Sequence, residues 1–436
     1  MAQAYWQNGI TEKACFSLFC RRLPVNRGFL VFAGLDDIID YLEEFRFTNE
    51  DIEYLRSLNI FESEFLLYLK TLRFRGTVRA MKEGDIFFAN EPVVEVEAPI
   101  IEAQIIETYL INQINVQSML ATKASRIVVA AKGLAVVDFA SRRTQGLDSA
   151  LDFAKLSYAA GFSGTSNVLA GREFGIPIQG TMAHSFINAF IDEKSAFRAY
   201  AKSFPKFCTF LVDTYDSIQG VKNAIVVAGE MRAEGNNLFA IRIDSGDLFD
   251  LTNNSRRLLD QSGFSDVKII VSGGLDEFDI QALLEKGAKV DGFGVGTKPG
   301  VSSDAPWTDM VYKLVEYAGQ AVVKLSSGKV TLPGPKQVNR ILDKDGYFTG
   351  DILSLKSEKI SDKTVSLLQE KMVSGERIVE KSRIKDIRIC LAEGIKSIPG
   401  KYKTIVNPEV YSADISPKLV ELDDLIKSNI KSKLSL

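Results

Sequence analysis

One histidine occurs in the whole chain, His184, inside Gly180-Thr-Met-Ala-His-Ser-Phe186 and shortly after Gly164-Thr-Ser-Asn-Val-Leu-Ala-Gly171. Imidazole is the side chain that gains or loses a proton near neutral pH, and it can also accept a phosphoryl group. A lone histidine among Gly, Ser and Thr equally describes a hydrogen-bonded residue packed at a helix start. Three later motifs favour the chemical reading: Arg242-Ile-Asp-Ser-Gly-Asp247, Val271-Ser-Gly-Gly274 and Gly292-Phe-Gly-Val-Gly-Thr297.

Glycine-exposed backbone amides at Gly273-Gly274 and Gly294-Val295-Gly296-Thr297 suit a phosphate cradle. Either motif alone equally suits a tight turn that needs positive φ. Arg142, Arg143 and Arg242 carry guanidinium groups that grip carboxylate or phosphate bidentately, although one of the adjacent pair suits a salt-bridged rim role. Asp244 and Asp247 are placed to hold ribose hydroxyls or a magnesium ion carried on pyrophosphate; Asp247 equally suits a helix N-cap. Phe139 could stack on a flat ring or serve as core.

These residues share a position in a repeating pattern. From Gly133 onward, short apolar runs alternate with amphipathic stretches. The strand-like runs are 134–139, 162–165, 176–180, 207–212, 238–244, 267–271 and 290–296, and the helical stretches are 147–160, 185–203, 218–233, 251–262 and 277–286. Gly161, Gly235, Gly263 and Gly287 supply C-terminal stops. Repeated βα units demand parallel strands with right-handed crossovers, and seven of them predict an irregular seven-stranded parallel α/β barrel. In such a barrel the C-terminal strand ends converge on one mouth; Ser141-Arg-Arg-Thr144, Ser166-Asn167, Thr181, His184 and Asp213-Thr-Tyr-Asp216 would join the motifs above there. No dinucleotide-binding fingerprint opens the series, which disfavours an open doubly wound sheet.

Before the barrel, residues 10–70 read as helical, 72–98 as a small antiparallel sheet and 101–121 as a helix. The expected organisation is an α+β domain over 1–125, the barrel domain over 126–340 and a C-terminal tail, 341–436, packed on the N-terminal domain. With 46% hydrophobic and 25% charged residues the composition is that of a globular protein. A net charge of −3 offers no field for nucleic acid. Apolar runs such as 224–229 are far too short to span a membrane, and the first residues lack signal-peptide character. Four cysteines, Cys15, Cys20, Cys208 and Cys390, have neither CxxC spacing nor nearby histidine for zinc. A cytoplasmic location is expected.

Taken in order, Ser141-Arg-Arg-Thr-Gln-Gly146, the Gly164–Gly171 and Gly180–Phe186 motifs, Asp213–Asp216, Arg242–Leu248, Val271–Glu277, Gly292–Thr297 and Leu332-Pro-Gly-Pro-Lys-Gln-Val338 resemble the nicotinate phosphoribosyltransferase family, from about Tyr5 to Arg340. The resemblance implies synthesis of nicotinate mononucleotide and pyrophosphate from nicotinate and 5-phosphoribosyl-1-pyrophosphate, in NAD salvage. It implies Mg2+ carried with the pyrophosphate, and ATP as co-substrate through a transient phosphohistidine at His184. It further implies substrate contacts from Arg142, Thr165, Arg242, Asp244 and Ser245, a 5′-phosphate cradle at Gly273, Gly274 and Gly294–Thr297, and a pyridine stacked on Phe139. Nicotinamide-using relatives carry aspartate where Ser166 stands, and a carboxylate there would repel nicotinate. A homodimer with active sites at the interface is implied too. Family members usually begin with an Asp-Leu-Tyr segment whose tyrosine crosses that interface to sandwich the pyridine. The expectation is that the start lies upstream, or that the ring lacks one wall unless Tyr5 or Trp6 supplies it.

Other classes remain open. A phosphate-binding barrel aldolase or isomerase would need a Schiff-base lysine or a strand carboxylate base, and Lys298 is the one lysine at a mouth-facing strand end. A nicotinamide phosphoribosyltransferase would differ at Ser166. A non-catalytic metabolite sensor would differ in activity alone.

Overall fold

The computed structural model describes residues 1–325 and 331–434. Within the barrel domain expected over 126–340, residues 326–330 lie outside the described residues. The chain forms two compact units, Met1–Met119 with Trp307–Leu436, and Leu120–Pro306.

The first unit is built on a seven-stranded antiparallel sheet. Its order is Gln320–Ala321, Met310–Tyr317, Lys13–Cys20, Pro92–Pro99, Thr77–Ala80, Gln369–Val373 and Glu376–Arg377. The helical expectation for residues 10–70 therefore fails at Lys13–Cys20, a central strand. It is paired on both edges, and every residue after Lys13 is buried. A strand covered on both faces loses the apolar-polar alternation that identifies strands in sequence. Helices Leu35–Glu44, Asn49–Ser57 and Ser63–Thr71 fill the rest of that stretch. The strands Met310–Tyr317 and Lys336–Leu342 were grouped with the barrel on sequence; they belong to sheets of this unit. The tail is more regular than its composition suggests, adding Phe348–Leu355, Thr364–Ser366 and Asp414–Ile415 to a second sheet. Trp6 packs with its ring centroid 5.9 Å from Phe65 and 6.4 Å from Tyr68.

The second unit carries the alternating βα series. Its strands are β1 (Ala135–Asp138), β2 (Gly164–Thr165), β3 (Thr209–Leu211), β4 (Ala240–Ile243), β5 (Lys268–Val271) and β6 (Gly292–Val295). They form one parallel sheet in the order β2-β1-β6-β5-β4-β3. Val136, Ile241, Ile243, Ile269, Val271, Phe293 and Val295 are buried in it, as expected of parallel strands covered on both faces. Helices Leu147–Ala160, Ser217–Ala233, Leu248–Gln261 and Glu277–Lys286 follow their strands.

The sheet curls without closing, and it has six strands where seven were expected. The run 176–180 contributes one isolated parallel bridge, Ile178 to Thr165, with Gln179 N donating to Thr165 O at 2.9 Å. Pro177 has no amide hydrogen to donate. Its carbonyl accepts from Thr165 N at 3.1 Å, but pairing goes no further. The expected helix 185–203 is likewise two helices, His184–Asn188 and Glu193–Ser203, the second capped by Asp192.

A buried ionic group ties the second unit together. Lys123 Nζ lies 2.5 Å from Glu277 Oε2 and 2.7 Å from Asp304 Oδ1, while Arg126 Nε lies 3.0 Å from Glu277 Oε1. Lys123, Arg126 and Glu277 are almost wholly buried. Removing one member of such a group leaves uncompensated buried charge. Glu277→Leu is expected to destabilise the protein by about 3–5 kcal/mol, read from the shift in its urea-denaturation midpoint; an unchanged midpoint would contradict this role.

Candidate active site at the barrel mouth

The loops that follow the strands enclose a cleft of about 450 Å³. Phe139, Arg142, Ser166, His184, Arg242, Asp244, Gly273, Gly274, Gly294, Gly296 and Thr297 all line it. The cleft also takes in Ser141, Ser272 and the run Gly180–Ala183. Three expected contacts sit elsewhere. Thr165 and Val295 are fully buried beneath the wall, and Ser245 is exposed with its hydroxyl donated to Asp213 Oδ2 at 2.7 Å. Arg143 is exposed outside the lining.

Two loops divide their carboxylates in the same way. In Asp213-Thr-Tyr-Asp216, Asp216 accepts from Gln219 N at 2.7 Å and caps the helix Ser217–Ala233. In Asp244-Ser-Gly-Asp247, Asp247 accepts from Asp250 N at 3.1 Å and caps Leu248–Gln261. Of the two descriptions open to Asp247, the N-cap is the one the structure adopts. The earlier carboxylate of each pair belongs to the site. Asp213 Oδ2 accepts from Asp244 N at 2.9 Å, and Asp244 Oδ1 accepts from the Ser272 hydroxyl. Ser272 lies within the Val271–Gly274 motif, where the glycines drew the reading and the hydroxyl had no role assigned.

Arg242 projects from β4 and donates through Nη1 to Thr181 Oγ1. Burial pulls its pKa below the usual arginine range, while Asp244 and Asp213 oppose that shift and Arg142 adds to it. The guanidinium carbon sits 6.0 Å from the centre of the Phe139 ring. That ring is half-buried and lines the cleft, so it is more than core. A Cβ on Gly294 would strike it, so glycine there lets the ring lie close against β6. Gly273 has a different reason for its identity. Its φ of +104° is a left-handed conformation, and a Cβ would run into the Asp244 carbonyl.

His184 opens the short helix His184–Asn188, with Nδ1 3.1 Å from Thr214 Oγ1. If the ring donates Nδ1–H to that oxygen, the Nε2 lone pair is the available nucleophile. Three buried polar atoms in and beside the cleft have no hydrogen-bond partner: Arg242 Nε, Ser141 Oγ and Asp213 Oδ1. Buried polar atoms are normally satisfied, so this concentration marks a place shaped for a polar ligand.

Below the wall, Asp138 ends β1 as a buried carboxyl. It accepts from Ala140 N at 2.7 Å and from the Thr165 hydroxyl at 2.6 Å. Burial pushes its pKa up to about 6 against those two hydrogen bonds.

Fold and cleft together define a parallel α/β half-barrel whose mouth gathers arginines and glycine-bearing strand ends. Matching family models agree: the nicotinate phosphoribosyltransferase N-terminal domain over residues 1–115, the nicotinate phosphoribosyltransferase family over 134–329 and the corresponding C-terminal domain over 361–423. A nicotinate phosphoribosyltransferase of Mycobacterium tuberculosis is 45% identical over 424 residues, covering 96% of this chain and 90% of its own length. One from Bacillus subtilis is 41% identical, covering 100% of this chain and 95% of its own. The crystal structure of human nicotinic acid phosphoribosyltransferase superposes with a TM-score of 0.86 at 27% identity, covering 98% of each chain. The chain belongs to the nicotinate phosphoribosyltransferase family, and it is an enzyme.

The Asp138 carboxyl makes stability depend on pH. A carboxyl whose pKa is raised by folding stabilises the fold below its unfolded value, and that contribution is lost as pH rises through the folded value. Between pH 4 and 7 the wild type is expected to lose about 2 kcal/mol of unfolding free energy relative to Asp138→Asn. Parallel urea titrations of the two proteins check this; a constant difference across that range would contradict it.

Proposed function

We propose that the cleft joins nicotinate to 5-phosphoribosyl-1-pyrophosphate, forming nicotinate mononucleotide and releasing pyrophosphate in NAD salvage. The observation that carries this reading is the meeting of Arg142, Arg242 and the glycine-bearing ends of β5 and β6 around one aromatic wall, Phe139. The 5′-phosphate is assigned to the amides at Gly273, Gly274, Gly294, Gly296 and Thr297. Ribose and pyrophosphate are assigned to Asp244 and Arg242, and the pyridine to Phe139, with its carboxylate near Arg142 and Ser166. Displacement at the anomeric carbon builds positive charge on the ribose and negative charge on the leaving pyrophosphate. Positioning and electrostatics therefore dominate over acid–base chemistry.

Among the described residues no group of three or more His, Cys, Asp or Glu gathers to hold a metal. Asp213 Oδ1, buried and unpartnered, and the Asp244 carboxylate beside it suit a Mg2+ ion that arrives on pyrophosphate and keeps most of its water. When bound, the ion neutralises charge on the leaving group. ATP is assigned as co-substrate, its γ-phosphoryl passing to His184 Nε2 with release of ADP. Four apolar side chains of this unit are exposed, Leu147 and Val168 at the first positions of their helices and Ile191 and Tyr215 between elements, which supports a homodimer. No helix among the described residues is long and apolar enough to cross a membrane; a cytoplasmic location is part of this proposal.

The decisive assay supplies nicotinate, 5-phosphoribosyl-1-pyrophosphate and Mg2+, with and without ATP, and measures nicotinate mononucleotide. No product under either condition would overturn this assignment of substrates. His184→Ala is expected to abolish ATP stimulation while leaving slow ATP-independent synthesis, and γ-labelled ATP should label the wild type alone. Equal labelling of both proteins would remove His184 from that role.

Ser166→Asp is expected to shift the nicotinate-to-nicotinamide preference by at least about tenfold toward the amide, because the new carboxylate repels the acid and accepts from the carboxamide. An unchanged ratio of kcat/KM values would place the discrimination elsewhere, at Arg142.

A further inference from the structure

The wall assigned to nicotinate is assembled from two neighbouring strand ends, and one buried side chain joins them. Asp138 and Thr165 are register partners at the ends of β1 and β2. The Asp138 backbone carbonyl accepts from Ser166 N at 2.9 Å. One carboxylate oxygen takes Ala140 N at 2.7 Å, and the other takes the Thr165 hydroxyl at 2.6 Å. Each of these bonds continues into the cleft lining. Ala140 O accepts from Arg143 N at 2.7 Å, closing the turn that presents Arg142. The Thr165 oxygen accepts from Asn167 N at 3.0 Å. Asn167 in turn caps the helix Val168–Phe174 through Ala170 N at 3.1 Å. Phe139, next along the chain, is held by its own amide to Val295 O at 2.7 Å.

We propose that Asp138 is a positioning residue for the pyridine substrate, fixing Phe139, Arg142 and Ser166 relative to one another while touching no ligand itself. Asp138 is fully buried and absent from the cleft lining, so it acts through the residues it holds. The groups assigned to the phosphoribosyl half, Arg242, Asp244, Gly273 and Gly274 on β4, β5 and their loops and Gly294, Gly296 and Thr297 at the end of β6, donate no hydrogen bond to this carboxyl, which accepts from Ala140 N and the Thr165 hydroxyl. A loss of Asp138 therefore acts selectively on one substrate. This inference rests on the assignment of nicotinate to that wall.

Asp138→Ala strands the Ala140 amide and the Thr165 hydroxyl. Asp138→Asn keeps an acceptor for Ala140 N and places an amide donor against the Thr165 oxygen. Thr165→Val keeps shape and removes the hydroxyl. The test measures KM for each substrate and kcat for the wild type and these three variants, with thermal melting as a check of folding. Asp138→Ala and Thr165→Val are each expected to raise the nicotinate KM about tenfold, the scale of one lost hydrogen bond to a charged group. The 5-phosphoribosyl-1-pyrophosphate KM should stay within about twofold in both. Asp138→Asn should restore the nicotinate KM to within about threefold of wild type, and the double variant Asp138→Ala/Thr165→Val should be less than additive. Equal rises in both KM values, or none, in a folded variant overturn the proposal. If Asp138→Ala fails to fold, Thr165→Val decides by the same criterion. Failure of the wild type to make nicotinate mononucleotide would instead overturn the functional assignment itself.

Discussion

Two adjacent parallel strands cannot be joined by a tight turn; the chain must cross back over the sheet before it can run in the same direction again. That constraint governs the second unit. Every strand enters from one rim and leaves at the other, so every βα loop opens on the same side. Histidine, arginines, carboxylates and glycine amides from positions more than 150 residues apart thereby reach one cleft. The ladder of β2-β1-β6-β5-β4-β3 sets their order around it. The aromatic and cationic residues of β1 and β2 fall on one side of β6, and the carboxylates of β3 and β4 fall on the other.

The cleft is polar in an unbalanced way. Arg242 is pushed down chiefly by burial, and Arg142 lies near enough to add to that shift. Asp244 and Asp213 answer part of that field, but Asp213 spends one oxygen on the backbone and hydroxyl of the following loop. What remains is Arg242 Nε without an acceptor and Ser141 Oγ without a partner, with Asp213 Oδ1 unpartnered beside them. An anionic ligand would supply the acceptors that the first two lack.

The alternation of strands and helices was legible because amphipathic helices and apolar parallel strands have different periods. Leu147–Ala160 and Glu277–Lys286 have the limits their residues suggest. The motif residues were legible because arginine, glycine and aspartate cluster at strand ends. Asp138 was not, since a single carboxylate after Ala135-Val-Val reads as the end of a strand and its burial is a tertiary fact. Lys13–Cys20 was misread for a related reason: neighbours from residues 92–99 and 310–317 make it central, and no local pattern announces them. Asp244-Ser-Gly-Asp247 held both a site group and a cap, and only the position of the helix start tells them apart.

The open seam of the half-barrel has its own consequence. Between β3 and the segment through Ile178 no backbone ladder runs among the described residues; side chains span the gap instead, His184 to Thr214 and Asn188 to Tyr215 on the loop after β3, and Thr181 to Arg242 of β4. The stretch from Gly180 to Asn188, which bears the imidazole, therefore follows a single backbone bridge at Ile178 and meets the sheet side through side chains. Segments with few shared backbone hydrogen bonds open at lower free energy than the sheet they adjoin. Amide hydrogens along this arm should exchange with solvent before those of β4 and β5, and filling the cleft with an anion that engages Arg242 would slow them together. The seam thus sets the imidazole-bearing arm apart from the backbone ladder and links it to the guanidinium of the cleft through Thr181.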